Sequence, residues 1–161
     1  MERRVPPDQS IEVLSPDECF LLLGSRYLGR IAFSVEDQPE VFPINYAMEG
    51  RIVVFRTASG TKLDFVPKTR VAFEVDDWDP KLGIGWSVVV KGFAEEVTRN
   101  LGRTAEHIRK APVHPVAPGE RWQWLAIRPS EVSGRRFQVR AGSQRRARDW
   151  RPPPPGDYMR S

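Results

Sequence analysis

At 161 residues the chain suits one domain and is long enough to bury a real core. An apolar share of 40% and a charged share of 29% exclude an intrinsically disordered chain. The longest apolar runs, such as Phe20 to Leu23 and Ser87 to Val90, are too short to cross a bilayer, so no membrane partner is expected.

The net charge of +4 is unevenly spread: residues 135–161 hold eight Arg, no Lys and two Asp, which leaves the rest slightly acidic. Such a stretch can be a nucleic-acid arm or a solvated extension. It ends in Arg151-Pro152-Pro153-Pro154-Pro155-Gly156-Asp157, which favours extended polyproline. Its aromatics are only Phe137, Trp150 and Tyr158. A surface tail over 141–161 is therefore expected, and nucleic acid is not an expected partner. The single cysteine, Cys19, excludes an internal disulfide and any multi-cysteine metal site. No apolar leader is visible at Met1, and a cytoplasmic protein fits these features.

Residues 1–14 read as an N-terminal arm before a domain over 15–140. Leu14-Ser15-Pro16-Asp17-Glu18-Cys19 is a helix start: Ser15 can cap, Pro16 suits the first turn, and Glu18 completes a capping box. The helix runs through Leu21 to Leu23 and is expected to stop at Gly24 with a left-handed cap. Ile31, Phe33 and Val35 then alternate with Arg30, Ala32 and Ser34, the pattern of a half-buried strand. Glu36-Asp37-Gln38-Pro39 turns the chain into a second strand, about Glu40 to Met48, and Glu49-Gly50 leads tightly into a third, Arg51 to Thr57. Pro43 inside the second strand points to an edge or a bulge, since it cannot donate to a ladder.

A short helix is expected over 61–66, then strands Arg70 to Val75 and Trp86 to Val97. A helix over Asn100 to Ala111 and a loop over 114–119 precede a last strand, Trp122 to Ile127. The mostly short gaps favour antiparallel pairing. Six strands with both faces partly apolar would close into a small barrel, so the expected fold is mainly β with a few peripheral helices.

The stretch Val54 to Leu63 carries the densest chemistry. A strand ends on Arg56 and Thr57, a small-residue loop holds Ser59 and Gly60, and a helix starts near Thr61. Loop amides and hydroxyls of Thr57, Ser59 and Thr61 can donate to an anion. Arg56 adds a planar fork matching phosphate oxygens, and Lys62 a mobile point charge. On spacing alone this reads equally as an anion site or as a surface turn with two solvated cations. The preceding glycine spacing of a Walker loop is absent.

The ordered pieces Leu28-Gly29-Arg30-Ile31-Ala32-Phe33, Phe42-Pro43-Ile44-Asn45-Tyr46, Val54-Phe55-Arg56-Thr57-Ala58, Gly60-Thr61-Lys62-Leu63, Val71-Ala72-Phe73-Glu74-Val75-Asp76 and Gly85 to Gly92 carry a resemblance. Together the chain resembles the pyridoxamine 5′-phosphate oxidase-like, FMN-binding split-barrel superfamily, in its branch of small flavin and deazaflavin proteins. The likeness covers about Ser15 to Thr98; Trp122 to Phe137 fits the closing strand less tightly, and the chain after Arg140 does not match.

That resemblance implies a six-stranded antiparallel split β-barrel and a homodimer with FMN at the subunit interface. Arg56, Thr57, Thr61 and Lys62 would hold the phosphate, with Phe55 and Ser59 in the same motif. The backbone of Phe42, Pro43, Ile44 and Asn45 would lie along the isoalloxazine, with Trp86 and Ser87 near it, contributed by the same or by the other subunit. The implied activity is hydride or electron transfer through the flavin with a small-molecule substrate. The same fold hosts F420- and haem-binding proteins and non-catalytic flavin modules, which stand as alternatives. Arg135 and Arg136 match a substrate-phosphate set only loosely, which speaks against vitamin B6 oxidation itself.

Other residues read plainly. His107 and His114 lack partners at zinc spacing and are expected on the surface. Cys19 is expected as a buried small hydrophobe. Asp76, Asp77 and Asp79 could bind a hard cation but read first as solvated acids of a turn. Trp122 and Trp124 alternate on one strand face, first as core or interface residues and second as a stacking platform for a flavin or substrate.

Overall fold

The computed structural model describes residues 9–58, 62–97, 102–113 and 122–139. Helix α1 spans Pro16–Gly24, and its capping box closes: the Glu18 N–H donates to Ser15 Oγ, and the Ser15 N–H donates to the Glu18 carboxylate at 2.8 Å. The backbone hydrogen bond from Ser15, before any other cause, holds the Glu18 carboxyl below its usual pKa. The other end differs from expectation. Gly24 stays in the helix without a positive φ, and Ser25 caps it in a right-handed conformation. The Ser25 hydroxyl donates to the Leu22 carbonyl at 2.7 Å, so a side chain does what a left-handed glycine would have done.

The strands are β1 (Gln9–Val13), β2 (Leu28–Val35), β3 (Gln38–Glu49), β4 (Ile52–Ala58), β5 (Arg70–Asp79), β6 (Ile84–Glu96) and β7 (Trp122–Val139). A 3₁₀ turn covers Lys62–Phe65 and a second helix, α2, covers Gly102–Lys110. Antiparallel ladders run β3–β4–β7–β6–β5–β2 and return to β3, so the six strands foreseen from periodicity close into a barrel. The stretch before the helix adds a seventh: β1 pairs with the end of β7, from Gln9↔Val139 to Val13↔Arg135.

Three boundaries move for identifiable reasons. Glu36 and Asp37 both take positive φ, +49° and +62°, as a two-residue hairpin loop requires, so β3 begins at Gln38, before Pro39. Asp76, Asp77 and Asp79 are not in a turn but on the end of β5. The turn follows, with Gly83 at φ +68° and the Asp79 carboxylate accepting from the Lys81 and Leu82 N–H groups. The last strand runs past Ile127 to Val139. A register shift at Lys91/Gly92 lets it bend, and a Cβ on Gly92 would lie 2.1 Å from the Arg128 carbonyl oxygen. Asn100, His114 and the loop over 114–119 lie outside the described residues.

Alternation sorts the side chains. Ile31, Phe73, Val88, Val53, Phe55, Leu125 and Ile127 fill the barrel, and Leu14, Cys19 and Leu23 plug one side of it. On the outer face Val54, Val97 and Ala126 are covered by Ala105 and Ile108 of α2, with Trp124 packed on the edge of this second cluster. Cys19 is fully buried, as expected, and burial pushes its thiol pKa up. His107 is on the surface and sits 3.3 Å from Glu49.

Candidate functional site

The β3–β4 ladder is short, running from Glu49↔Ile52 to Tyr46↔Phe55 and no further. Beyond that rung β3 continues from Asn45 back to Gln38 paired with β2 only, and β4 continues from Arg56 to Ala58 paired with β7 only. The barrel wall therefore splits at one rung. One bank of the split is Phe42–Asn45 and the other is Arg56–Ala58. Pro43 sits on the unpaired edge, the position its missing N–H demands.

The pleat divides the expected site residues between two faces. Ile44, Phe55 and Thr57 are buried toward the barrel, where the Thr57 hydroxyl lies 3.3 Å from the Ala58 carbonyl. Phe42 is half-buried and stacks on Phe33, centroids 5.9 Å apart. Pro43 is exposed opposite Arg30, and Asn45 is half-buried opposite Leu28. Lys62 opens the 3₁₀ turn just past β4; Ser59 and Thr61 lie outside the described residues.

Arg56 is half-buried, and its guanidinium carbon stands 5.2 Å from the centre of the Trp124 ring, its cross-strand neighbour. Next to them Thr57 pairs with Gln123, whose Oε1 is buried with no hydrogen-bond partner among the described residues. Strand β7 thus supplies this bank with Gln123, which the sequence did not single out, and with Trp124, which it offered second as a stacking platform. The Trp122/Trp124 alternation was a signal, but only the register matches Trp124 to Arg56.

Trp86 and Ser87 sit on β6, separated from β3 by β5 and β2, so one chain does not bring them against Phe42–Asn45. Trp86 is buried with the Arg26 guanidinium carbon 5.6 Å from its ring centre; Ser87 is half-buried, paired with Asp76 and Arg135. Arg26 also bridges to Asp77, and that hydrogen bond holds the Asp77 carboxyl below its ordinary pKa. Arg30 bridges Glu74 and Asp76, each at 2.9 Å. Arg26, Tyr27, Leu28, Asp76 and Asp77 wall a cavity of about 280 Å³ that reaches Pro43. The site therefore joins an edge of bare strand, a stacked cation and a neighbouring cavity. Among the described residues no group of three or more His, Cys, Asp or Glu could hold a metal ion, and no helix is long and apolar enough to cross a membrane.

The split ring is also what comparison with known proteins finds. Residues 15–136 match the family described as pyridoxamine 5′-phosphate oxidase. The chain belongs to that family. An uncharacterised protein of Mycobacterium tuberculosis is 34% identical over 84% of this chain and 92% of its own length. The FAD-binding protein of Mycobacterium smegmatis is similar in structure, with a TM-score of 0.70 and 37% identity over 79% of this chain and 100% of that one. An FAD-binding protein of Mesorhizobium loti gives a TM-score of 0.63 at 25% identity, over 81% of this chain and 98% of the other. The family match ends at Arg136, so it takes in most of β7, the strand that closes the ring. It starts at Ser15, the helix cap, so β1 lies outside it.

Proposed function

We propose that this family member binds a flavin nucleotide in the split between β3 and β4 and works as an oxidoreductase on a small molecule. The observation that carries the reading is the parting of the two strands at Tyr46↔Phe55, which sets Phe42–Asn45 on one bank and Arg56 on the other. An unpaired strand edge offers backbone donors and acceptors to a heteroaromatic ring. A guanidinium fork across the split suits a phosphate. In this reading Arg56 and Lys62 hold the phosphate, with Thr57, Ser59 and Thr61 around it. The cavity beside Pro43 gives a substrate room next to the ring. The flavin, once bound, supplies the hydride or electron transfer; the chain supplies orientation and exclusion of water.

FMN is the minimal ligand that satisfies both banks, and FAD contains the same ring and first phosphate. The FAD-binding relatives of M. smegmatis and M. loti support a flavin here. A second copy of the chain completes the reading. Ile11, Phe137, Gly85 and Trp78 stand in one row across β1, β7, β6 and β5, with Ile11 58% exposed and Trp78 stacked on Phe137 at 5.7 Å. The exposed Ile11 and Trp78 at the ends of this row, with half-buried Phe137 between them, suit burial against a like face.

Equilibrium titration of the full chain with FMN, FAD, riboflavin and F420, followed by fluorescence, tests the function. Tighter binding of FMN or FAD than of riboflavin is expected. Uptake of F420 in place of flavins would replace the flavin by a deazaflavin, and uptake of none would refute a cofactor site in the split.

A further inference from the structure

Resting on the phosphate reading above, we propose that Trp124 is the positioning residue that pre-sets Arg56 for the flavin phosphate. Four arginines stack on aromatic rings among the described residues: Arg26 on Trp86, Arg51 on Phe20, Arg56 on Trp124 and Arg70 on Phe93. Only the Arg56 stack stands on a bank of the split.

The platform is itself fixed. Trp124 packs on the cluster of Val54, Val97, Ala105, Ile108 and Ala126, and its carbonyl accepts from the Val97 N–H at 2.8 Å. Helix α2 thereby reaches the ligand through one indole. Stacking engages the face of a guanidinium, whereas an anion is recognised by its N–H edge, so the two contacts do not compete. A long side chain confined to one plane before binding has less rotamer freedom left to lose when the phosphate arrives. The benefit should therefore appear as phosphate discrimination and not as affinity for the ring.

The test compares Kd for FMN and for riboflavin, which lacks the phosphate, in the full-length wild type and in Trp124→Leu, Trp124→Phe and Arg56→Gln. Trp124→Leu should lower FMN affinity roughly three- to tenfold and leave riboflavin binding unchanged, with Trp124→Phe restoring most of the loss. In the Arg56→Gln background, Trp124→Leu should add nothing to the FMN loss, because the interaction it supports is already gone. A parallel fall for FMN and riboflavin, or full additivity in the double variant, would overturn the proposal. If Trp124→Leu does not fold, Trp124→Met, which keeps bulk but no aromatic face, carries the same comparison alone and combined with Arg56→Gln. A wild type that binds no flavin would instead bring down the functional reading, and this inference with it.

Discussion

The Tyr46 hydroxyl donates to the Leu23 carbonyl oxygen at 2.5 Å, in the buried space where the last turn of α1 meets the rung at which the barrel splits. Tyr46 also meets the Phe73 ring edge-on, with centroids 4.8 Å apart. Helix and split are thus tied through one side chain, and burial pushes the phenol pKa far up, so it stays protonated as a donor. Tyr46→Phe keeps the ring and removes only the donor. The Leu23 carbonyl still accepts from the Ser25 N–H, so the cost should stay near that of one net hydrogen bond, about 0.5–1.5 kcal/mol. Urea unfolding should show a lower midpoint with an unchanged slope.

Gly134 lets α1 approach the barrel. A Cβ there would lie 2.6 Å from Cys19 Sγ, 3.1 Å from Leu14 Cδ1 and 3.2 Å from Val88. Gly134→Ala should destabilise by about 1–3 kcal/mol through overpacking, measured as a drop in Tm. Because the nearest clash is the thiol, adding Cys19→Ala should recover part of that loss. Strict additivity of the two changes would show that the contact is not where the strain falls.

Asp77 makes the acid limb of stability specific. Its pKa is held below the ordinary 3.8 by hydrogen bonding to Arg26, so its contribution is present above that ordinary value. It is lost as pH falls through the lower folded value. Asp77→Asn should therefore flatten the loss of stability on acidification below about pH 4 and leave the neutral-to-alkaline profile unaltered. Added salt should shrink the difference, since the pair is exposed. Circular dichroism at a series of pH values reads both.

The apolar row of Ile11, Phe137 and Trp78 calls for a partner face. Ile11→Lys places a charge in that row without entering the barrel core. Light scattering after size exclusion should move from a dimeric mass for the wild type to a monomeric one for the variant. A variant that remains dimeric would place the contact elsewhere.

Much of this molecule was legible from side-chain periods. The capping box at Ser15 and the alternation around Phe33 and Phe73 announce themselves, and the apolar runs around Val54 and Val90 read as strands although Val54 faces a second, outer cluster. The end of β7 does not: Pro129, Gly134 and the Arg135-Arg136 pair interrupt the alternation, and the bulge opposite Gly92 that accommodates them is invisible locally. Strand β1 is five residues long, and its Ile11 and Val13 are exposed, so nothing in the sequence distinguishes it from an arm. The split itself is a property of register. Phe42–Asn45 and Arg56 could be named from their motifs, but their standing on opposite banks depends on where the β3–β4 ladder ends. The Arg56–Trp124 stack depends in turn on which residues of β4 and β7 face each other.

If Arg56 faces a flavin phosphate, the ratio of FMN to riboflavin affinity in wild type and Arg56→Ala reports it most directly. A charge-assisted contact worth about 1.5–3 kcal/mol predicts a loss of FMN affinity of roughly ten- to a hundredfold, with riboflavin binding unchanged. Wild-type FMN affinity in Arg56→Ala would contradict the account.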